Sequence, residues 1–328
     1  MPLGNSSGSH DNSSCAIQDS FLSPVLPACY SIIFIVGLLS NAVAASVFFQ
    51  RGRTDSSLAV YMRHMAVADL LLALCLPLRI SYHNQPGPFH LCRVVGLFFY
   101  INMYASILFL SLISLDRYLK IVKPVWVFRI QRVEWSRRVS YAVWAGLAVG
   151  VIPFLLGKKG SDPCEKICFH FHHKSLFGGV VNLLTVVLFF VLSLCFLCFY
   201  GQISVKLWSL SLGTDEQARH RKRRLILKTF VVPVVFTVCF MPYHAVRFPY
   251  VLSQMDENQE LDTKQTLHFL NELGLCLSTF NSCLDPIIYF FLSRTFRKTI
   301  ICVVQGKFKK MYDMNQRRGS VAKSVTEM

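Results

Sequence analysis

Seven apolar stretches, each able to carry a helix across a bilayer, constrain this chain more than any other feature. They fall at 22–49, 58–82, 93–114, 139–157, 176–205, 225–252 and 267–292. A helix needs about 20 residues to cross the hydrocarbon core. Outer-membrane strands would instead give segments of about 10 residues with strict alternation, and no such pattern occurs. The composition agrees, with 53% hydrophobic and only 16% charged residues in 328. The expected fold is an all-α membrane protein: a seven-transmembrane helix bundle, with a short amphipathic helix after the seventh span.

Basic residues set the orientation. No Lys or Arg precedes Arg51, and most of the 34 cluster after spans one, three, five and seven. Cytoplasmic loops carry that excess, so the N-terminus is expected to be extracellular and the C-terminus cytoplasmic, in a multi-pass protein of the plasma membrane. The net charge of +16 is then a topology signal, whereas a nucleic-acid binder would gather charge on one face of a soluble fold. The chain divides into an extracellular tail (1–21), the bundle (22–292), a membrane-surface helix (293–305) and a disordered cytoplasmic tail (306–328). The extracellular tail carries two glycosylation sequons, at Asn5 and Asn12. It lacks the basic and short apolar regions of a cleaved signal peptide.

Of the 12 cysteines, Cys15, Cys92, Cys164 and Cys168 fall outside the membrane. Four cysteines in an oxidising compartment allow three pairings. A Cys92–Cys168 bridge would pin the loop between spans four and five across the mouth of the bundle and is the pairing expected here. Cys15–Cys164 is the remaining possibility, with free thiols as the alternative. The loops are too short for a catalytic domain, and no phosphate-cradling loop, zinc spacing or nucleophile motif occurs, so an enzyme is not expected. Beyond span seven, Phe296, Ile300 and Val304 share one side of a helix that would lie on the membrane, with Cys302 as a palmitoylation candidate.

Charged residues inside or at the mouth of a span are costly unless paired or solvated. Asp116-Arg117-Tyr118 stands where span three meets a basic segment. The acid and the arginine can hold each other or be pulled apart. Asp69 and Asp285 lie within spans two and seven, and two buried carboxylates need a shared proton or a cation. Asn102, Ser106 and Asn281 add neutral oxygens at similar depth. The set suits a monovalent cation such as sodium, and a hydrogen-bond network around one protonated acid is the alternative. Pro242 and Pro286 each remove a backbone hydrogen bond and kink their helices, and Phe240 sits where its ring could follow the first kink.

Toward the outer end lie Arg79, Tyr100, Tyr104, Tyr243, His244, Arg247, Tyr250, Asn271 and Glu272. Guanidinium groups among aromatic walls suit an anionic ligand, phosphate above all. Glu272 would repel a phosphate and attract an ammonium. Together they form the set a zwitterionic head group asks for. An internal Arg247–Glu272 pair is the competing reading.

The ordered motifs Asn41, Met65-Ala66-Val67-Ala68-Asp69, Cys92, Asp116-Arg117-Tyr118, Trp144, Cys239-Phe240-Met241-Pro242 and Asp285-Pro286-Ile287-Ile288-Tyr289 resemble the rhodopsin-like (class A) G-protein-coupled receptors. Phe240 for tryptophan, Asp285 for asparagine and Leu192 for a proline resemble their purinoceptor-like branch. The runs 30–38, 98–121, 239–254 and 280–286, with Asn271-Glu272, are similar to the lysophosphatidylserine receptors of that branch. The resemblance implies an activation switch of Asp116, Arg117, Tyr118, Phe240, Pro242, Pro286 and Tyr289. It also implies coupling to a heterotrimeric G protein of the Gi family, with arrestin a further partner. The implied agonist is a lysophospholipid, its head held by Arg247 and Tyr250, then Asn271 and Glu272, with Arg79 and Tyr100 nearby. The alternatives are a nucleotide or nucleotide-sugar receptor and, from another class, a transporter or non-signalling scaffold. One departure stands out: the loop between spans six and seven lacks the cysteine usual in that branch.

Overall fold

The computed structural model describes residues 22–49, 56–123, 132–156, 168–169, 176–209, 216–256 and 260–305. Asn5, Asn12, Cys15, Cys164 and the tail beyond Gln305 lie outside these residues. The described chain is helical: α1 (Leu22–Phe49), α2 (Ser57–Ser81), α3 (Phe89–Val122), α4 (Val133–Leu156), α5 (Leu176–Ser209), α6 (Glu216–Met255), α7 (Leu261–Thr279), α8 (Asn281–Leu292) and α9 (Arg294–Val304). Seven spans are long and apolar enough to cross a membrane, α7 and α8 together forming the seventh.

Several helices overrun the expected spans. α3 continues to Val122 and keeps Asp116-Arg117-Tyr118 inside the helix. α6 begins at Glu216 and absorbs the basic run 219–224, expected from the sequence to precede it. The apolar pattern marks the hydrocarbon, but a helix does not stop where the hydrocarbon does. Its 40 residues reach about 60 Å at 1.5 Å per residue, twice the core thickness.

The seventh span is interrupted at Phe280, where Cys283 N–H turns back to the Phe280 carbonyl at 3.0 Å. Pro286 follows, and it removes the N–H that would meet the Ser282 carbonyl one turn earlier. Asn41 Nδ2 of α1 fills that gap, donating to Ser282 O at 2.8 Å and to Gly37 O at 3.0 Å. The kink therefore carries a fixed tether to α1.

Packing follows the logic of lipid as solvent: α5 turns Leu184, Leu194 and Leu197 outward, while Phe189, Phe196 and Tyr200 are buried. α4 buries only Ser136 and Ser140, and rests on α2 and α3. Trp144 Nε1 donates to His64 Nδ1 at 3.2 Å across that contact. Gly274 is required where α7 meets α6, since a Cβ there would stand 2.9 Å from the Tyr243 Cα. After Ser293, α9 is anchored through Phe296, which stacks on Phe48 at 5.9 Å and meets Tyr289 edge-on at 5.8 Å. Arg297 donates to the carbonyls of Phe290 and Phe291 at 2.9 and 2.7 Å, capping the end of α8.

Candidate functional site

At the end of the bundle that carries Cys92, the expected disulfide is present: Cys92 and Cys168 are joined, with Cα atoms 5.3 Å apart. Cys168 N–H also donates to Gln85 O at 3.0 Å. A Cβ on Gly87 would meet Cys168 Sγ at 2.6 Å and Tyr82 Cδ1 at 2.8 Å, so this crossing needs glycine. The next residue, Phe169, takes a left-handed φ of 70°. Its ring is thereby placed 4.1 Å from the Arg79 guanidinium, a cation–π distance.

Below Phe169 lies a cavity of about 30 Å³, lined by Arg79, Gly96, Phe99, Tyr100, Phe169, Arg247, Tyr250, Asn271, Glu272 and Leu275. Six of the nine predicted outer residues thus converge on one space. Tyr104, Tyr243 and His244 form a deeper layer. The Arg247 guanidinium stands 5.8 Å from the Tyr243 ring and 5.3 Å from that of Tyr250. His244 meets Tyr104 edge-on at 6.0 Å and stacks on Phe189 at 3.8 Å. Its Nδ1 faces Phe240 O at 2.8 Å; a carbonyl only accepts, so Nδ1 carries the proton.

The expected alternative of an Arg247–Glu272 pair is not what forms. Glu272 Oε2 pairs with Arg79 Nη2 at 2.8 Å, joining α7 to α2. Asn271 stands between the two arginines: its Oδ1 accepts from Arg247 at 3.1 Å and its Nδ2 reaches Glu272 Oε1 at 3.5 Å. Arg247 Nη2 also donates to Asn182 Oδ1 at 2.8 Å. The result is a polar chain Asn182–Arg247–Asn271–Glu272–Arg79 linking α5, α6, α7 and α2. Asn182, Phe169 and His268, whose Nδ1 lies 3.4 Å from Tyr250 Oη, are additions to the sequence-predicted set. Asn182 had a signal, an amide inside an apolar span; Phe169 and His268 had none beyond their loop and helix-end positions.

Mid-bundle, Asp69, Asn102, Ser106, Asn281 and Asp285 come together as predicted. Asn102 Nδ2 donates to Asp69 Oδ1 at 3.0 Å, and Asn281 Nδ2 to Asp285 Oδ2 at 3.0 Å. Asp69 Oδ2, Asp285 Oδ1, Ser106 Oγ and Asn281 Oδ1 are buried without a hydrogen-bond partner. These four oxygens, two of them from the carboxylates themselves, are the atoms that could hold a hard monovalent cation.

At the opposite end, of the two arrangements open to Asp116 and Arg117, the structure shows the one in which they do not bond to each other. Ser57 Oγ donates to Asp116 Oδ1 at 2.6 Å and Lys120 Nζ to Oδ2 at 2.8 Å. Lys120 lies one turn further along the same helix face as Asp116. Tyr118 Oη donates to Gln202 Oε1 at 2.9 Å, and Tyr200 Oη lies 3.1 Å from Ser114 Oγ. Phe240 and Tyr289 are fully buried. A stacked aromatic series joins the two ends through α5 and α6: His244 to Phe189 at 3.8 Å, Phe189 to Phe236 at 5.5 Å, Phe236 to Phe196 at 4.1 Å, and Phe196 to Tyr200 at 5.9 Å.

Seven spans, a disulfide-pinned mouth over a charged cavity and Asp116-Arg117-Tyr118 at the far end are the features of a membrane receptor. The chain belongs to the rhodopsin family of seven-transmembrane receptors, whose family model, "7 transmembrane receptor (rhodopsin family)", matches residues 40–289. Among curated proteins it is 38% identical over 314 residues to "Probable G-protein coupled receptor 34" of Mus musculus, covering 93% of this chain and 83% of the relative. It is 32% identical to "P2Y purinoceptor 14" of Bos taurus over 310 residues, covering 92% and 91% of the two chains. "G-protein coupled receptor 87" of Mus musculus is 33% identical over 304 residues, covering 90% and 84%. The chain is therefore a class A receptor of the purinoceptor-like branch, and its relatives are receptors rather than enzymes.

Proposed function

We propose that this chain is a plasma-membrane receptor, N-terminus outside, for a lysophospholipid with a zwitterionic head, lysophosphatidylserine best of all, signalling through Gi. The observation that carries the reading is the composition of one cavity: two guanidinium groups, Arg79 and Arg247, with one carboxylate, Glu272, and one amide, Asn271. A phosphate takes the bidentate guanidinium of Arg247. An ammonium takes Glu272, and Tyr100 and Tyr250 wall the head group. Arg247 and Glu272 are already bonded within the chain Asn182–Arg247–Asn271–Glu272–Arg79, so the agonist would displace those contacts, bind a rearranged state better than this compact one and shift their populations. Sodium in the Asp69–Asp285 cluster would favour the compact state, and arrestin would share the G-protein end. The test is a panel of lysophospholipids and nucleotides against Gi activation, with Arg247→Ala as control. Loss of response at retained surface expression supports the site; unchanged potency sinks it.

A second reading, a nucleotide or nucleotide-sugar receptor, draws on the same two arginines and on the likeness to a P2Y purinoceptor. Glu272 separates the two. Replacing it with Gln should weaken an amine-bearing ligand and strengthen a polyphosphate.

A further inference from the structure

Asp116 is engaged on both oxygens, and Arg117 has no part in it. Ser57 reaches one oxygen from the first turn of α2, beside the N-cap Ser56, whose side chain accepts from Ala59 N–H at 3.3 Å. Lys120 reaches the other from one turn further along α3. Asp116 and Ser57 are buried, whereas the Lys120 side chain is 33% exposed. Arg117 makes neither a hydrogen bond nor an ion pair to its neighbour, and its Nε is buried without a partner.

We propose that Ser57 and Lys120 form a clamp that occupies Asp116 and so keeps Arg117 available to the protein partner that docks at this end. A guanidinium grips a carboxylate best through two parallel bonds, and here both oxygens already carry charge-assisted or short hydroxyl bonds. The clamp competes with the Asp116–Arg117 pair for one acceptor. It sets how readily Arg117 is released instead of leaving that release entirely to the ligand. Ser57 also ties α2 to α3, so the competition is decided by two helices held in register. Lys120 is the adjustable part, because its exposure lets it be changed at small folding cost.

The proposal rests on the G-protein reading above, and two readouts separate the failure of one from that of the other. Full-length protein in nanodiscs is assayed for basal nucleotide exchange on purified Gi and, without G protein, for hydrogen exchange over 216–228 of α6. Lys120→Gln removes the cationic donor from Asp116 Oδ2, which favours Arg117 as the competing cation. Basal exchange on Gi should then fall roughly five-fold, the low end of measured site-to-site couplings, and hydrogen exchange over 216–228 should slow. Lys120→Arg should restore both. In an Asp116→Asn background, Lys120→Gln should change neither. Unchanged or raised activity in Lys120→Gln, or the same fall in the Asp116→Asn background, overturns the clamp. No exchange on any G protein, with the α6 shift present and restored by Lys120→Arg, supports the clamp and overturns the G-protein reading.

Discussion

Arg79 and Glu272 are ion-paired at 2.8 Å across 193 residues of sequence, with side chains 5% and 11% exposed. Phe169 covers the guanidinium from above and Phe99 flanks it at 5.5 Å. The pair closes α2 against α7 and also places both signs of charge in the cavity. Removing one member of such a buried pair strands the other, at a cost of about 3 kcal/mol. Glu272→Gln and Arg79→Gln should each lower the thermal midpoint in detergent by several degrees. The double replacement by Leu should lie nearer the wild type. A double variant as unstable as the sum of the singles would show that the pair is not the unit.

Asn41 replaces a hydrogen bond that Pro286 removes, so its contribution is to the kink. In Asn41→Leu the Ser282 carbonyl stays buried without a donor, a loss of about 1–3 kcal/mol. Surface expression and thermal midpoint should both fall. Pro286→Ala in the same chain should recover part of the loss, because the backbone N–H that it restores can reach the Ser282 carbonyl. No recovery would mean that Asn41 acts through Gly37 instead.

Gly274→Ala places a methyl 2.9 Å from the Tyr243 Cα, where only backbone movement can make room. Overpacking of this kind costs about 1–3 kcal/mol, and it would push α7 from α6 next to Asn271 and Glu272. Agonist potency should fall along with stability. The matched control is Gly146→Ala, where a Cβ meets nothing within 4 Å and neither readout should move.

How much of this was legible in the sequence depends on what each feature obeys. The spans were legible because lipid imposes a length and a polarity on every crossing. Their ends were not, since α3 and α6 keep their own backbone bonds satisfied well past the apolar run. Asp69 with Asp285 and Arg247 with Asn271 could be gathered because ionisable and amide groups inside apolar runs are conspicuous. Partner choice was harder. Whether Glu272 meets Arg79 or Arg247 depends on the rotation of helices that are apolar nearly all round, and periodicity does not fix that rotation. Lys120 is different: it stands four residues after Asp116, a spacing that does meet on a helix, yet the adjacent Arg117 is the more conspicuous charge in the sequence.

If the Asp69–Asp285 cluster takes sodium, replacing sodium by N-methylglucamine should lower the thermal midpoint of the ligand-free protein. Asp69→Asn removes one carboxylate and should abolish that dependence, leaving the midpoint equal in the two buffers. A dependence that survives in Asp69→Asn would place the ion elsewhere.

Phe236 is where the aromatic series between the cavity end and the Arg117 end can be tested. Its ring stacks on both Phe189 and Phe196 of α5 and meets Phe240 edge-on at 5.7 Å. Aromatic pairs add about 0.5–1.5 kcal/mol each beyond their buried area, so Phe236→Leu loosens α6 from α5 below the cavity without touching its lining. A contiguous series is not by itself evidence of coupling, and the variant supplies the missing measurement. Agonist affinity should stay within about two-fold, while maximal G-protein activation should shift by roughly five-fold, a typical small coupling. Leu197→Ala on the lipid-facing side of α5, 71% exposed, is the control and should leave both unchanged. Equal changes in affinity and in maximal response would mean that Phe236 serves the fold alone. A change confined to the response would mean that the stacked rings carry the cavity's rearrangement toward Tyr200 and Arg117.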